Sequence, residues 1–215
     1  MSTQKGRNVR VEVAATYTAA KTVSTISLAA PALVTTSVAH AMAEGTIGYF
    51  SGVTGMTEIE GQAASVDTTL ASTFLTEGIS TVGYGALSGT CSFTPVATWT
   101  TLSTSTSYQI GGGEADQIDT TTLLDVVKQS DVGMLAAQSV SFDSFSDPQL
   151  AAMVLLEAAA VSGSYVVMRI TFPNGERRVF RGIPSLPGES VAVSAMATGS
   201  FSVTVKGRVL KLPAA

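Results

Sequence analysis

The chain has 215 residues, 13% of them charged and 45% apolar, with a net charge of −4. Charge at about half of the ~25% usual in globular domains leaves Ser, Thr, Ala and Gly to cover the surface. That composition suits either a protein coated by copies of itself, whose interface cores are depleted in charge, or a neutral Ser/Thr-rich β-domain.

One cysteine excludes an internal disulfide. The N-terminus lacks the apolar region of a signal peptide, and no run of about 18 apolar residues is present to cross a membrane as a helix. The charges are segregated: Lys5, Arg7, Arg10 and Lys21 against Glu12 give residues 1–21 a net +3, thirteen acids against Lys128 give residues 22–168 a net −12, and seven bases against two acids give residues 169–215 a net +5. Opposite ends and middle can mate head to tail between copies. A net-acidic chain also lacks the cationic excess on which nonspecific DNA binding rests.

Residues 8–13 alternate with period two and read as a short strand. From 24 to 89, short β-like runs broken by Gly (32–38, 45–50, 52–61, 63–66 and 72–75) predict a separate small barrel or meander. His40 is the only histidine; with no cysteine or second histidine nearby it reads as a hydrogen-bonded turn residue, not a zinc ligand. Cys91 reads as a small buried hydrophobe.

Residues 96–102 and 106–110 are strand-like, with Trp99 as core anchor. Gly111-Gly-Gly113 lacks the Lys-Ser/Thr pair and following helix of a phosphate loop. Residues 114–122 read as a strand and 123–133 as a long loop. Its Leu123, Leu124, Val126 and Val127 either seek a partner or lie as a short amphipathic helix over the domain's own core. Residues 136–142 alternate again, Val140 and Phe142 inward. A helix follows, capped by Asp147 with Pro148 at its first position, or by Ser146 with Gln149, and stopped by Gly163. Its span to residue 161 is apolar nearly all round, which predicts burial on more than one side: its own sheet on one, a neighbouring subunit on the other.

Residues 165–182 read as a β-hairpin turning at Asn174-Gly175, a dipeptide suited to a two-residue type I′ loop. That turn pairs Arg169 with Phe180 and Ile170 with Val179. Val166, Met168, Ile170, Phe172 and Val179 then face the core, while Thr171, Arg169, Arg178 and Phe180 form an outer face, either solvated or used between subunits. Residues 190–196 and 200–206 close the chain as alternating strands, Phe201, Val203 and Val205 on one face. The order gives a mainly β protein: an antiparallel sandwich or partial barrel with one flanking helix, plus a small inserted barrel-like domain.

His40-Ala-Met-Ala-Glu-Gly45, the run from Tyr49 to Gly61 and Thr73-Phe-Leu75 are together similar to a small β-module recurring in phage tail and structural proteins. It is sometimes labelled ubiquitin-activating-enzyme-like, a label that implies nothing catalytic. The larger unit, 1–23 and 90–215, resembles the major tail tube protein of long-tailed phages with non-contractile, siphovirus-like tails. The residues that carry this are Glu114 to Asp125, the helix after Asp147, and Arg169-Ile-Thr-Phe-Pro-Asn-Gly175 leading to Val179-Phe-Arg-Gly182. The resemblance implies hexameric rings stacked into a tube, through which genomic double-stranded DNA passes without specific binding. Partners would be further copies of the chain and the tape measure, tail terminator and tail tip proteins. The site would be the virion tail, assembled in the bacterial host cytoplasm.

On that reading Leu123, Leu124, Asp125, Val126, Val127, Lys128 and Asp131 would contact the adjacent ring. Arg169, Arg178, Phe180 and Arg181 would lie at a hairpin surface or subunit interface, Glu114, Asp116 and Asp119 would be acidic lumen candidates, and the 24–89 module would sit outside. Alternatives are a capsid decoration or baseplate protein, or a surface carbohydrate-binding β-domain. No Ser-His-Asp grouping, metal-ligand cluster, cofactor motif or membrane segment points to an enzyme or a membrane protein.

Overall fold

A computed structural model describes residues 8–214. In chain order the strands are β1 (Arg10–Tyr17), β2 (Lys21–Ile26), β3 (Ala32–Thr36), β4 (Ile47–Ser51), β5 (Ala63–Thr69), β6 (Thr73–Glu77), β7 (Cys91–Thr101), β8 (Ser105–Gly111), β9 (Ala115–Asp119), β10 (Ser130–Leu135) and β11 (Ser139–Phe145). The helix α1 (Ala151–Ser162) follows, then β12 (Val166–Thr171), β13 (Arg177–Pro184), β14 (Gly188–Ser190), β15 (Thr198–Val205) and β16 (Leu210–Leu212). The protein is mainly β, antiparallel, with a single α-helix among the described residues.

Six strands close a barrel in the order β2-β3-β6-β5-β4-β7, with β7 returning to β2. Closure removes free edges. Phe50, Phe74 and Phe93 fill its interior with ring centroids 5.0–5.2 Å apart; each such ring contributes about 1.5–3 kcal/mol relative to exposure. Gly48 is required beneath Phe93, because a Cβ there would lie 2.6 Å from both the ring and the Thr94 carbonyl. Cys91 lies in this core, and burial, with Glu60 adding, pushes its thiol up to about 11.

The same β7 leads out of the barrel. Its first residues pair with β2 and β4, and from Val96 onward it pairs with β1. Pro95, which has no N–H to give, marks the change of partner, and its carbonyl accepts the Thr18 N–H at 2.9 Å. The sheet then runs β7-β1-β12-β13-β15-β11-β8 and curls over a second core. Val13, Phe142, Met168, Ile170, Phe180 and Val203 meet there with Leu156 of the helix.

The hairpin β12–β13 serves both cores, and its register differs from the two-residue expectation. Met168 faces Phe180 and Arg169 faces Val179. A two-residue loop would make residues 173 and 176 a hydrogen-bonded pair, which Pro173 cannot complete. The chain instead bonds Phe172 N–H to Glu176 O at 2.9 Å and Gly175 N–H to Phe172 O at 2.9 Å, with Gly175 at φ +87°. The three-residue loop shifts one strand by a single position, and a one-residue shift exchanges faces. Phe180 therefore points inward and is 0% exposed, while Val179, with Val167, Leu210 and Leu212, joins the barrel's core.

Three further segments depart from the sequence expectation. Residues 52–61 hold a 3-10 turn at Thr57–Ile59, not a strand, because Gly52, Gly55 and Gly61 all sit at positive φ and a Cβ at Gly55 would meet the Ala86 carbonyl at 2.2 Å. The alternating run 190–196 is irregular. β15 is already paired to β11 along its length, its other side is shared by β13 and β14, and β14 ends at Ser190. Val191, Val193 and Met196 are left exposed. The helix starts at Ala151: Asp147 closes a turn of its own, accepting Gln149 N–H at 3.1 Å on its side chain and Leu150 N–H at 3.1 Å on its carbonyl. Gly163 ends it in the left-handed conformation, as expected. One stripe, Ala152, Met153, Leu156 and Ala159, is buried; Val154 and Val161 on other sides are open in the single chain.

Candidate assembly surfaces

Residues 115–135 form an arm. Among the described residues β9 and β10 pair only with each other, Asp119 opposite Ser130 and Gln117 opposite Val132, as a two-stranded sheet apart from the main one. The expected loop is thus shorter than 123–133, since Ser130 onward is strand. The end of the arm is built by local hydrogen bonds. Thr120 N–H reaches Gln129 O at 3.1 Å, and Gln129 N–H reaches the Thr121 hydroxyl at 3.0 Å. At the tip, Asp125 N–H bonds Thr122 O at 3.1 Å, and the Asp125 carboxylate accepts the Thr122 N–H at 2.7 Å and hydroxyl at 2.9 Å.

This reciprocal box leaves Leu123, Leu124 and Val126 with nothing to cover them; Leu124 is 93% exposed. Val127, Val132, Met134 and Leu135 are exposed as well. The same hydrogen bonds hold the Asp125 carboxyl below its usual range, and Thr121's hydroxyl and N–H do so for Asp119. Lys128 lies 4.0 Å from Asp119, with both side chains in water, so the pair adds little. Of the acids named as lumen candidates, Asp116 and Asp119 stand on β9 and Glu114 just before it, so all three ride on this arm or at its root.

The hairpin cations are used within the chain. Arg169 pairs with Glu12, Nη2 to Oε2 at 2.7 Å, and lies over the half-buried Trp99 at 4.4 Å. Arg178 pairs with Glu176 at 3.0 Å and covers Phe172 at 5.0 Å. Arg181 is clasped by Tyr49 and Tyr165 at 4.1 and 4.6 Å, and burial pulls its pKa below the ordinary value. Phe180, expected beside them, is in the core. Sequence reading missed Arg177, whose guanidinium bonds the barrel's Glu77 at 3.1 Å with both side chains largely buried; its alternation with Val179 was the available signal. His40 is a turn residue as expected, its Nδ1 accepting Met42 N–H at 3.0 Å and its Nε2 3.2 Å from Thr73 O.

A further surface lies beside β8. Among the described residues this strand bonds only to β11, and along its other edge runs a groove of about 1050 Å³ lined by residues 8–11, 101–103, 105–110 and Phe172. Val9, Tyr108, Ile110 and Phe172 are only partly buried there, so the second core is open along this side.

The single chain thus leaves uncovered an apolar arm, a margin of its second core and one face of its helix. A comparison with protein families matches residues 54–213 to the phage tail tube proteins. The chain belongs to that family. The matched span includes part of the barrel, all of β7 to β16 and the whole arm. No curated protein matches the chain significantly. As a tail tube protein it is a structural component of a phage tail, assembling with copies of itself. Among the described residues no cluster of three or more His, Cys, Asp or Glu could hold a metal.

Proposed function

We propose that the protein forms hexameric rings that stack into the tube of a long non-contractile tail, enclosing a channel for the phage genome. The arm supports this reading most directly. A two-stranded ribbon alone in water is marginal, and this one exposes its apolar residues; it gains stability only where another subunit covers them. Leu123, Leu124, Asp125, Val126, Val127, Lys128 and Asp131 make the ring-to-ring contact. Rings close by bringing open sheet edges against neighbours, which removes them as sites of uncontrolled pairing.

Duplex DNA passes a lumen that does not grip phosphates, for which Glu114, Asp116 and Asp119 are the candidates. The barrel faces outward. The tape measure protein occupies the channel during assembly in the host cytoplasm, with tail tip and terminator proteins at the two ends. Electron microscopy of the purified chain tests this. Rings or tubes with six-fold symmetry and a central channel wide enough for a duplex are expected; only monomers or trimers, as for a capsid decoration or baseplate protein, would overturn it.

A further inference from the structure

We propose that the arm of a second copy seats in the groove along the outer edge of β8, with its apolar tip over Tyr108, Ile110 and Phe172. The proposal rests on the tube reading above and names what the arm docks on. Three observations carry it. The first is an incomplete core: Val9, Tyr108, Ile110 and Phe172 sit only partly buried at its margin, and aliphatic side chains laid across them complete it. The second is charge. The arm and its root carry five acids against Lys128, whereas the residues lining the groove include Arg10 and no acid; Arg178, over Phe172 at the rim, is already paired with Glu176.

The third observation is size. At about 1050 Å³ the groove is at or beyond the ~300–1,000 Å³ of small-molecule pockets. The eight exposed aliphatic side chains of the arm, from Ile118 to Leu135, offer area on the order of the ~800 Å² per partner that a stable interface buries. Donor and acceptor are different patches of one chain, so the contact is head to tail and propagates from copy to copy. Another exposed apolar segment, 186–196, is a poorer acceptor, since its one charge is Glu189, of the same sign as the arm.

Disulfide trapping tests the docking in the full chain, because Cys91 is buried and silent. Leu124→Cys and Ile110→Cys are made in separate copies and mixed under oxidising conditions. A linked dimer is expected from the mixture and not from either variant alone. Adding Arg10→Glu to the Ile110→Cys copy should lower the yield about tenfold, as loss of a steering charge does. Efficient trapping of Leu124→Cys by Val193→Cys, in place of Ile110→Cys, overturns the proposal. So does a link formed within one chain that carries both cysteines at high dilution. If the mixture forms tubes with no 110–124 link, the docking fails while the tube reading stands; a 110–124 link in short oligomers that never form rings does the reverse.

Discussion

The barrel and the arm draw on similar residues, Thr, Val, Leu and Ile in short antiparallel strands, and come to opposite ends. In the barrel each strand finds two neighbours, and Phe50, Phe74 and Phe93 are excluded from water. In the arm each strand finds one, and its Leu and Val side chains stay in water. β-structure is stabilised by what the side chains pack against. The barrel thus contributes stability to the single chain, while the exposed side chains of the arm contribute little to it; on the proposed reading they act in the assembly.

Substitutions should separate the two along that line. Phe93→Ala or Phe180→Ala removes a fully buried ring and should cost about 3–5 kcal/mol, seen as a large fall in the denaturation midpoint of the monomer. Arg177→Leu strands Glu77 in a largely buried site and should cost about 3 kcal/mol; adding Glu77→Leu should restore much of it in a double-mutant cycle, since the pair joins the hairpin to the barrel. Gly48→Ala forces the Phe93 ring and the Thr94 carbonyl to move, an overpacking cost of about 1–3 kcal/mol. Equivalent changes on the arm should leave monomer stability within about 0.5 kcal/mol and act on assembly alone.

The smallest expected effect is on the arm's tip. The Asp125 carboxyl is held below its ordinary range by Thr122, so its box is fully present above about pH 4, the usual carboxylate value, and is lost as pH falls through the lowered value. Asp125→Asn should remove that pH dependence. Exchange of the Thr122 amide, followed from pH 6 to pH 2, reads both.

Much of the fold was legible in the sequence, for reasons that also mark where it stopped. Alternation located β1, β15 and the inward Val140 and Phe142, β-rich composition between turn signals located β3 and β8, and Gly163 marked the helix end. The β12–β13 hairpin was visible, but its register was not. Asn174-Gly175 argued for a two-residue turn, and the missing N–H of Pro173 decided against it, carrying Phe180 from the surface into the core. β2, Lys-Thr-Val-Ser-Thr-Ile, was hidden by its Ser and Thr, and β16 by its shortness. The alternation of 190–196 promised a strand, yet pairing needs a free edge and β15 had none to offer beyond Ser190. The arm's exposed Leu and Val were found from composition; that they sit on a ribbon continuing to Leu135 depended on the backbone pairing of β9 with β10, which no side-chain pattern announced.

Replacing Leu123 and Leu124 together with Asp tests the division between a self-sufficient body and a dependent arm most directly, with thermal unfolding and negative-stain microscopy made on the same sample. An unchanged melting temperature with no tubes is the expected result. Tubes of normal length, or a monomer that no longer folds, would contradict it.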